Sequence, residues 1–249
     1  MTGLYVIAGM PRSGTTEMLR VVSQFGDFTN ISEPSNWLMS TDEFWGKDIA
    51  DRLDLRKKIQ DQVDTVDLFV HLLRQADIKV IKVIACANSD RLSCGTLGEE
   101  YKNKYIELIE HEGVDKVILM YRKDVLRQAL SYCISMKLGV WQGDANIVRD
   151  SVIGSLDAEL FRHAIESMDN NNKYIETLSD KKNCKLCEYD DFYNKYSRQE
   201  FHWRGVAEFL GHEYNKETVV DVNSKRYNGP ETYCKIENLQ ELKEIYFQL

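Results

Sequence analysis

The chain has 249 residues, 43% of them hydrophobic and 29% charged, with a formal net charge of −8. This is ordinary globular composition, with length enough for one α/β domain around a sizeable core. The acidic balance excludes broad, sequence-independent nucleic-acid binding, which needs a basic face, and disfavours a long polyanionic partner unless the cleft is locally positive.

Residues 1–9, MTGLYVIAG, hold an apolar run too short for a secretory leader and lacking its basic region. Leu4–Ala8 instead reads as a buried strand entering the loop GMPRSG, and Met18, Leu19, Val22 and Phe25 then recur at helical spacing. Residues 50–76 read as a charged helix with Leu53, Leu55, Ile59, Val63, Val66 and Val70 facing inward. Ile78–Ala85 is a second buried strand. Tyr105–His111 closes a helix before Gly113, and Val114–Tyr121, VDKVILMY, is a third strand. Asp124 is placed to cap a helix running through Ser135, because its carboxylate can accept the first free backbone N–H groups. A helix over 155–178, a strand over Asn183–Tyr189, a helix over Gln199–Leu210 closed by Gly211, and a last helix over 237–247 complete the pass.

Strands alternating with helices predict a three-layer α/β domain, a mainly parallel sheet covered on both faces. No repeat, low-complexity tract or linker interrupts the chain, so residues 1–249 are expected to form one domain. No apolar run reaches the ~18 residues of a membrane span, and a cytoplasmic protein with no membrane partner is expected. The six cysteines, Cys86, Cys94, Cys133, Cys184, Cys187 and Cys234, are scattered and read as reduced thiols. Cys184-Lys-Leu-Cys187 has the spacing of half a zinc site but no second close Cys/His pair, and reads as two strand cysteines.

On parallel sheets ligands bind at the carboxyl ends of the strands. The segment Gly9-Met-Pro-Arg-Ser-Gly-Thr-Thr16 lies at one such end. Gly9 and Gly14 keep the G-x-x-x-x-G spacing of a nucleotide P-loop, whose backbone N–H groups and helix N-terminus cradle phosphate. A P-loop NTPase places Lys after the second Gly, where it reaches the β- and γ-phosphates. Here Thr15 takes that place and the cation, Arg12, stands inside the loop. A nucleotide with no γ-phosphate and no obligatory Mg²⁺ suits that pattern.

The segment resembles the 5′-phosphosulfate loop of the sulfotransferases, typically P-[K/R]-S-G-T. The resemblance implies a P-loop-containing fold and a donor, 3′-phosphoadenosine 5′-phosphosulfate (PAPS), held by Arg12, Ser13, Gly14, Thr15 and Thr16. It also implies adenosine 3′,5′-bisphosphate (PAP) as product, a hydroxylated acceptor and no metal. The family places an Arg at a later strand end and a Ser on the next helix against the 3′-phosphate. Arg122 and Ser131, nine positions apart in Arg122-Lys-Asp-Val-Leu-Arg-Gln-Ala-Leu-Ser131, match those roles. Arg offers a fork suited to phosphate and Ser an uncharged donor. Many animal members show a separation of eight, and the pattern here is closer to bacterial sulfotransferases acting on sugars. The one-residue difference leaves Arg122 or Lys123 as the inward cation. Lys225 and Arg226, in Ser224-Lys-Arg-Tyr-Asn-Gly229, match the family's late basic loop over the 3′-phosphate, or else form an ordinary solvated loop.

Sulfuryl transfer needs an oriented acceptor hydroxyl, a base for its proton and stabilisation of the charge on the departing oxygen. Glu33, in Ile31-Ser-Glu-Pro-Ser-Asn-Trp37, resembles the general base of protein-tyrosine and carbohydrate sulfotransferases, with Pro34 stiffening the backbone behind it. The family's strand lysine, with Arg12, stabilises the transferring group. Lys82 is the first candidate for it and Lys79 the second, since a cation inside an apolar strand requires a partner. His71 stands in reserve for the base, and Trp37, Trp45, Trp141 and Tyr132 are candidates to line an acceptor pocket. Two other readings remain open: a P-loop nucleotide kinase-like enzyme, and a non-catalytic nucleotide-binding protein of the same fold.

Overall fold

The computed structural model describes residues 3–26, 28, 30–32, 65–84, 99–139, 148, 151–193, 199–214, 216 and 230–249. Its centre is a sheet of five parallel strands: β1 Leu4–Gly9, β2 Asn30–Ser32, β3 Val80–Ile84, β4 Val114–Tyr121 and β5 Cys184–Glu188, in the order β2-β3-β1-β4-β5. All six residues of β1 and all five of β3 are buried. A parallel strand covered on both faces has no solvent side on which polar residues could alternate.

The period-two alternation of strand side chains divides the core. Leu4, Val6 and Ala8 of β1, Ile81 and Val83 of β3, and Val117 and Leu119 of β4 face one layer. That layer comprises α2 (Val66–Gln75), α3 (Glu99–Glu110), α4 (Val125–Leu138), α5 (Ala158–Thr177) and the last helix, Leu239–Gln248. Tyr5 and Ile7, Val80, Ile118 and Met120 face the other, where α1 (Thr15–Phe25) contributes Met18, Leu19 and Val22. Trp203, Val206 and Leu210 join them there from a helix over Gln199–Leu210. The expected three-layer α/β class is therefore the observed one.

Local signals set most of the boundaries. Asp124 accepts from the Arg127 N–H at 2.9 Å and caps α4, and Asp157 does the same for α5 through Leu160. Thr65 caps α2, so within the long helix expected over 50–76 the described part begins at Val66, and 50–64 lie outside the described residues. Gly211 closes its helix at φ +78°. The helix expected over 155–178 runs Ala158–Thr177 and tightens into a 3₁₀ turn at Leu178–Asp180. The three-residue β2 and two short helices, α6 (Tyr189–Tyr193) and α8 (Pro230–Tyr233), have too few residues to show a period. With α7 assigned to Gln199–Leu210 and α9 to Leu239–Gln248, α1 and α7 cover one face and the remaining long helices the other. The chain crosses to opposite faces on leaving β1 and β3, which opens a crevice at the carboxyl end of β1.

Candidate active site

The loop from Gly9 to Thr15 is built by sterics. A Cβ on Gly9 would stand 2.5 Å from the Met120 carbonyl oxygen of β4 and 2.8 Å from Ser13 Oγ, so only glycine lets the loop leave β1 this close to its neighbour. Ser13 is fully buried and donates from Oγ to the Met10 carbonyl at 2.6 Å, while its backbone N–H reaches the same oxygen at 3.2 Å. Arg12 and Gly14 both take left-handed backbone, at φ +65° and +85°. For an arginine that conformation costs on the order of 1–2 kcal/mol. Left-handed residues in a tight turn aim successive N–H groups inward, forming an anion-binding concavity. Gly14 then hands the chain to α1, whose first N–H groups have no carbonyl within the helix and whose dipole favours negative charge. No side chain caps that end.

A second cationic group stands at the end of β4. Arg122 is 6% exposed, its guanidinium stacks 4.3 Å from the centre of the Tyr189 ring, and its buried Nε has no hydrogen-bond partner among the described residues. A buried N–H left unpaired costs about 1–3 kcal/mol, which an anion in the crevice would recover. Lys123 is exposed, so of the two adjacent cations Arg122 is the inward one. Ser131, 4% exposed on α4, accepts from Arg12 Nε at 3.0 Å, and this bond joins the loop to the neighbourhood of Arg122. Tyr233 of α8 lies close to this cluster: its hydroxyl donates to the Arg127 carbonyl at 3.5 Å, and the charge of Arg122 acts on its phenol. Burial raises the Tyr233 phenol above its usual range, and the charges of Arg122 and Arg12 oppose that rise.

Lys82 is 1% exposed on β3 and donates from Nζ to Thr16 Oγ1 at 3.0 Å, which holds its ammonium beside the first turn of α1. Lys79 pairs instead with Asp77 at 2.6 Å, before β3 begins. Level with Lys82 in the sheet is Ser32, the last residue of β2. Glu33 follows it in sequence and lies outside the described residues, as do Trp37, Trp45, Trp141, Lys225 and Arg226. His71 is exposed on α2, and Tyr132 packs into the core at 4% exposure.

The cysteine pair of β5 illustrates strand geometry. Cys184 and Cys187 are three apart, so their side chains point to opposite faces, Cys184 against one core layer and Cys187 within the other. Two such thiols cannot close on one ion. Burial pushes the Cys184 thiol up to about 11 and that of Cys187 up to about 12.

Sequence reasoning missed the groups that tie the two cationic regions together. Gln128 of α4 is fully buried and donates from Nε2 to the Pro11 carbonyl in the loop at 2.9 Å. Asn172 of α5, 5% exposed, donates from Nδ2 to Gln128 Oε1 at 2.9 Å and to the Arg122 carbonyl at 3.0 Å. Both ends of this relay are carbonyl oxygens, so each terminal contact must come from an amide N–H. Only one orientation of the two side chains meets that demand, and among the described residues it leaves Asn172 Oδ1 buried without a partner. Tyr193 was missed as well. Its hydroxyl donates to the Gly14 carbonyl at 3.1 Å, and the buried ring, raised well above its usual titration range by desolvation, backs the loop.

No protein-family model matches the chain, and no curated protein matches it. Among solved structures it is similar to a sulfotransferase from Alicyclobacillus acidocaldarius, with 13% identity and a TM-score of 0.51 over 100% of this chain and 92% of that one. A sulfotransferase domain from the curacin biosynthetic pathway also aligns, with 14% identity and a TM-score of 0.47 over 100% of this chain and 97% of the other. The loop on β1, the parallel sheet and the likeness to the Alicyclobacillus enzyme agree: the chain has the P-loop-containing fold of the sulfotransferases.

Proposed function

We propose that this chain transfers the sulfuryl group of PAPS to the hydroxyl of a sugar or other small acceptor. The observation that carries the reading is the pairing of two anion seats at one end of the sheet. One is the left-handed loop at the N-terminus of α1. The other is the buried Arg122, its Nε without a partner among the described residues, with Ser131 on the helix that follows it, bonded to Arg12. A nucleotide phosphorylated at both ends of its ribose has its anions arranged for such a pair. A contiguous triphosphate does not, and Thr15 stands where a triphosphate loop needs its lysine.

In this reading Ser13, Gly14, Thr15 and Thr16 receive the 5′-phosphosulfate, and Arg122 and Ser131 receive the 3′-phosphate, with Lys225 and Arg226 closing over it. Glu33, next in sequence after the residue level with Lys82, takes the acceptor proton. The acceptor oxygen attacks sulfur in line with the bridging oxygen. The new S–O bond forms as the old one breaks, and the bond pair departs with the phosphate oxygen of the leaving PAP. Lys82 and Arg12 would meet that developing charge, where a preorganised cation in a water-poor site contributes most. No step calls for a metal.

Calorimetric titration with PAP beside ATP–Mg²⁺ tests the donor. Saturable PAP binding with no ATP–Mg²⁺ binding supports it, and the reverse result replaces it with the kinase-like reading. Incubation with radiolabelled donor and a panel of hydroxylated acceptors tests the reaction. Glu33→Ala, assayed on the acceptor so found, should lose at least about a hundredfold in rate. Full activity in that variant would remove Glu33 from the role.

A further inference from the structure

The two seats just described are separate in sequence and in secondary structure, one on the β1–α1 loop and one at the end of β4. A two-ended nucleotide binds tightly only if both are held at the separation its ribose dictates. The Arg12–Ser131 bond links the loop directly to α4, but it uses a side chain with its own part in the site. The buried amide relay has no such conflict. It runs from the loop at Pro11 O through Gln128 and Asn172 to the main chain of Arg122, with contacts of 2.9, 2.9 and 3.0 Å. Both amides are at least nine-tenths buried, on two helices, α4 and α5, that pack side by side over the same core layer. Both grip main-chain carbonyls. The relay therefore fixes backbone position at each seat and leaves the ligand-facing side chains unoccupied by it.

We propose that Gln128 and Asn172 are positioning residues that set the distance between the two anion seats and so select nucleotides phosphorylated at both the 3′ and 5′ positions over those carrying either phosphate alone. The inference rests on the donor reading above and concerns the spacing of that site. Neither residue touches the nucleotide. Each acts through the backbone of Pro11 or Arg122, so loosening the relay weakens the cooperation of the seats and leaves each seat locally intact.

The test uses the full chain, three nucleotides and calorimetry: PAP, adenosine 5′-monophosphate and adenosine 3′-monophosphate. Gln128→Met keeps the length of the side chain and removes both of its hydrogen bonds. The expected result is a loss of about tenfold or more in PAP affinity, with the two monophosphates changed by less than about twofold, since each needs one seat only. A linked ligand loses affinity without losing contacts when its sites no longer match its span. An equal loss for all three nucleotides would mean a general packing role and would overturn the proposal, as would no change for any. Should Gln128→Met fail to fold, Asn172→Ser cuts the relay at its other end while Gln128 still holds Pro11, and the same three titrations decide. Binding of PAP to the unaltered protein separates the two ideas. If PAP does not bind there, the donor reading has failed. If it binds and the variants show no preferential loss, only the positioning role has failed.

Discussion

Gly14 offers the most direct check on the loop that organises the site. Its backbone is at φ +85°, ψ +10°, and a Cβ there would stand 2.5 Å from Tyr193 Cε2 and 3.0 Å from Tyr189 Cδ2. Gly14→Ala therefore carries two separable costs. Left-handed backbone with a side chain costs about 1–2 kcal/mol. Forcing a methyl group into a packed ring costs about 1–3 kcal/mol. Together they amount to roughly 2–5 kcal/mol, a large share of the ~5–15 kcal/mol that stabilises a typical domain. Tyr193→Leu deletes the ε-carbon that the methyl group would strike hardest, so in that background the backbone cost and the lesser crowding against Tyr189 remain. A double-mutant cycle should then show the two substitutions less destabilising together than their sum by ~1–3 kcal/mol. Urea unfolding followed by tryptophan fluorescence measures all four proteins, provided the slope with denaturant stays common to them. Strict additivity would refute the ring contact. A cost below about 1 kcal/mol for Gly14→Ala alone would refute the left-handed loop itself.

Three further outcomes are expected. Lys82→Met should slow release of PAP from the donor by about 10²–10³-fold. The melting temperature should hold or rise, because an apolar chain replaces a buried cation; unimpaired turnover would dismiss Lys82 from the reaction. Arg122→Lys removes the planar fork and should lower PAP affinity about tenfold or more while sparing adenosine 5′-monophosphate, and equal weakening of both would place Arg122 elsewhere than the 3′ end. Cys133 and Cys187, both raised to about 12 by burial, stay neutral thiols until pH approaches that value, so at pH 8 the thiolate fraction is only about 10⁻⁴. Iodoacetamide followed by peptide mass spectrometry should find both unmodified in the native protein and labelled in denaturant, and native labelling would contradict their burial.

What could be read from the sequence was what local chemistry decides. LYVIAG is a continuous apolar run and VDKVILMY ends in one, and each became a parallel strand, buried throughout in the first and from Val117 to Tyr121 in the second. The Asp124 cap was legible because a cap involves residues three apart. The loop was legible because glycine spacing reports backbone conformation directly. Gln128 and Asn172 were not, since a polar residue inside an amphipathic helix reads as solvent-facing until the neighbouring helix is known. Their 44-residue separation carries no local signal, and only the packing of α4 on α5 brings them together. The choice between Arg122 and Lys123 stayed open in the sequence for a related reason. Each lies just past the strand, where alternation no longer dictates direction, and the Tyr189 ring that receives the guanidinium comes from α6, a helix too short to foresee.

The distribution of positive charge explains why the departure from the NTPase loop matters. In a triphosphate loop one lysine on the first helical turn serves a continuous run of phosphates. Here that turn carries the nearly buried Thr15 in its place, and three other cations stand around the crevice on separate elements. Lys82 reaches α1 from β3, Arg12 leaves the loop for α4, and Arg122 lies at the end of β4 under Tyr189. Each is fixed by its surroundings: Lys82 by burial that obliges it to bond, Arg12 by a left-handed backbone and a serine, Arg122 by an aromatic face. Among the described residues, these cations are spread over three elements and are not gathered at one point on the first turn of α1. On the proposed function, that spread suits two anions held apart by a sugar, with one cation near each and another beside the helix N-terminus, where the bond to sulfur would break.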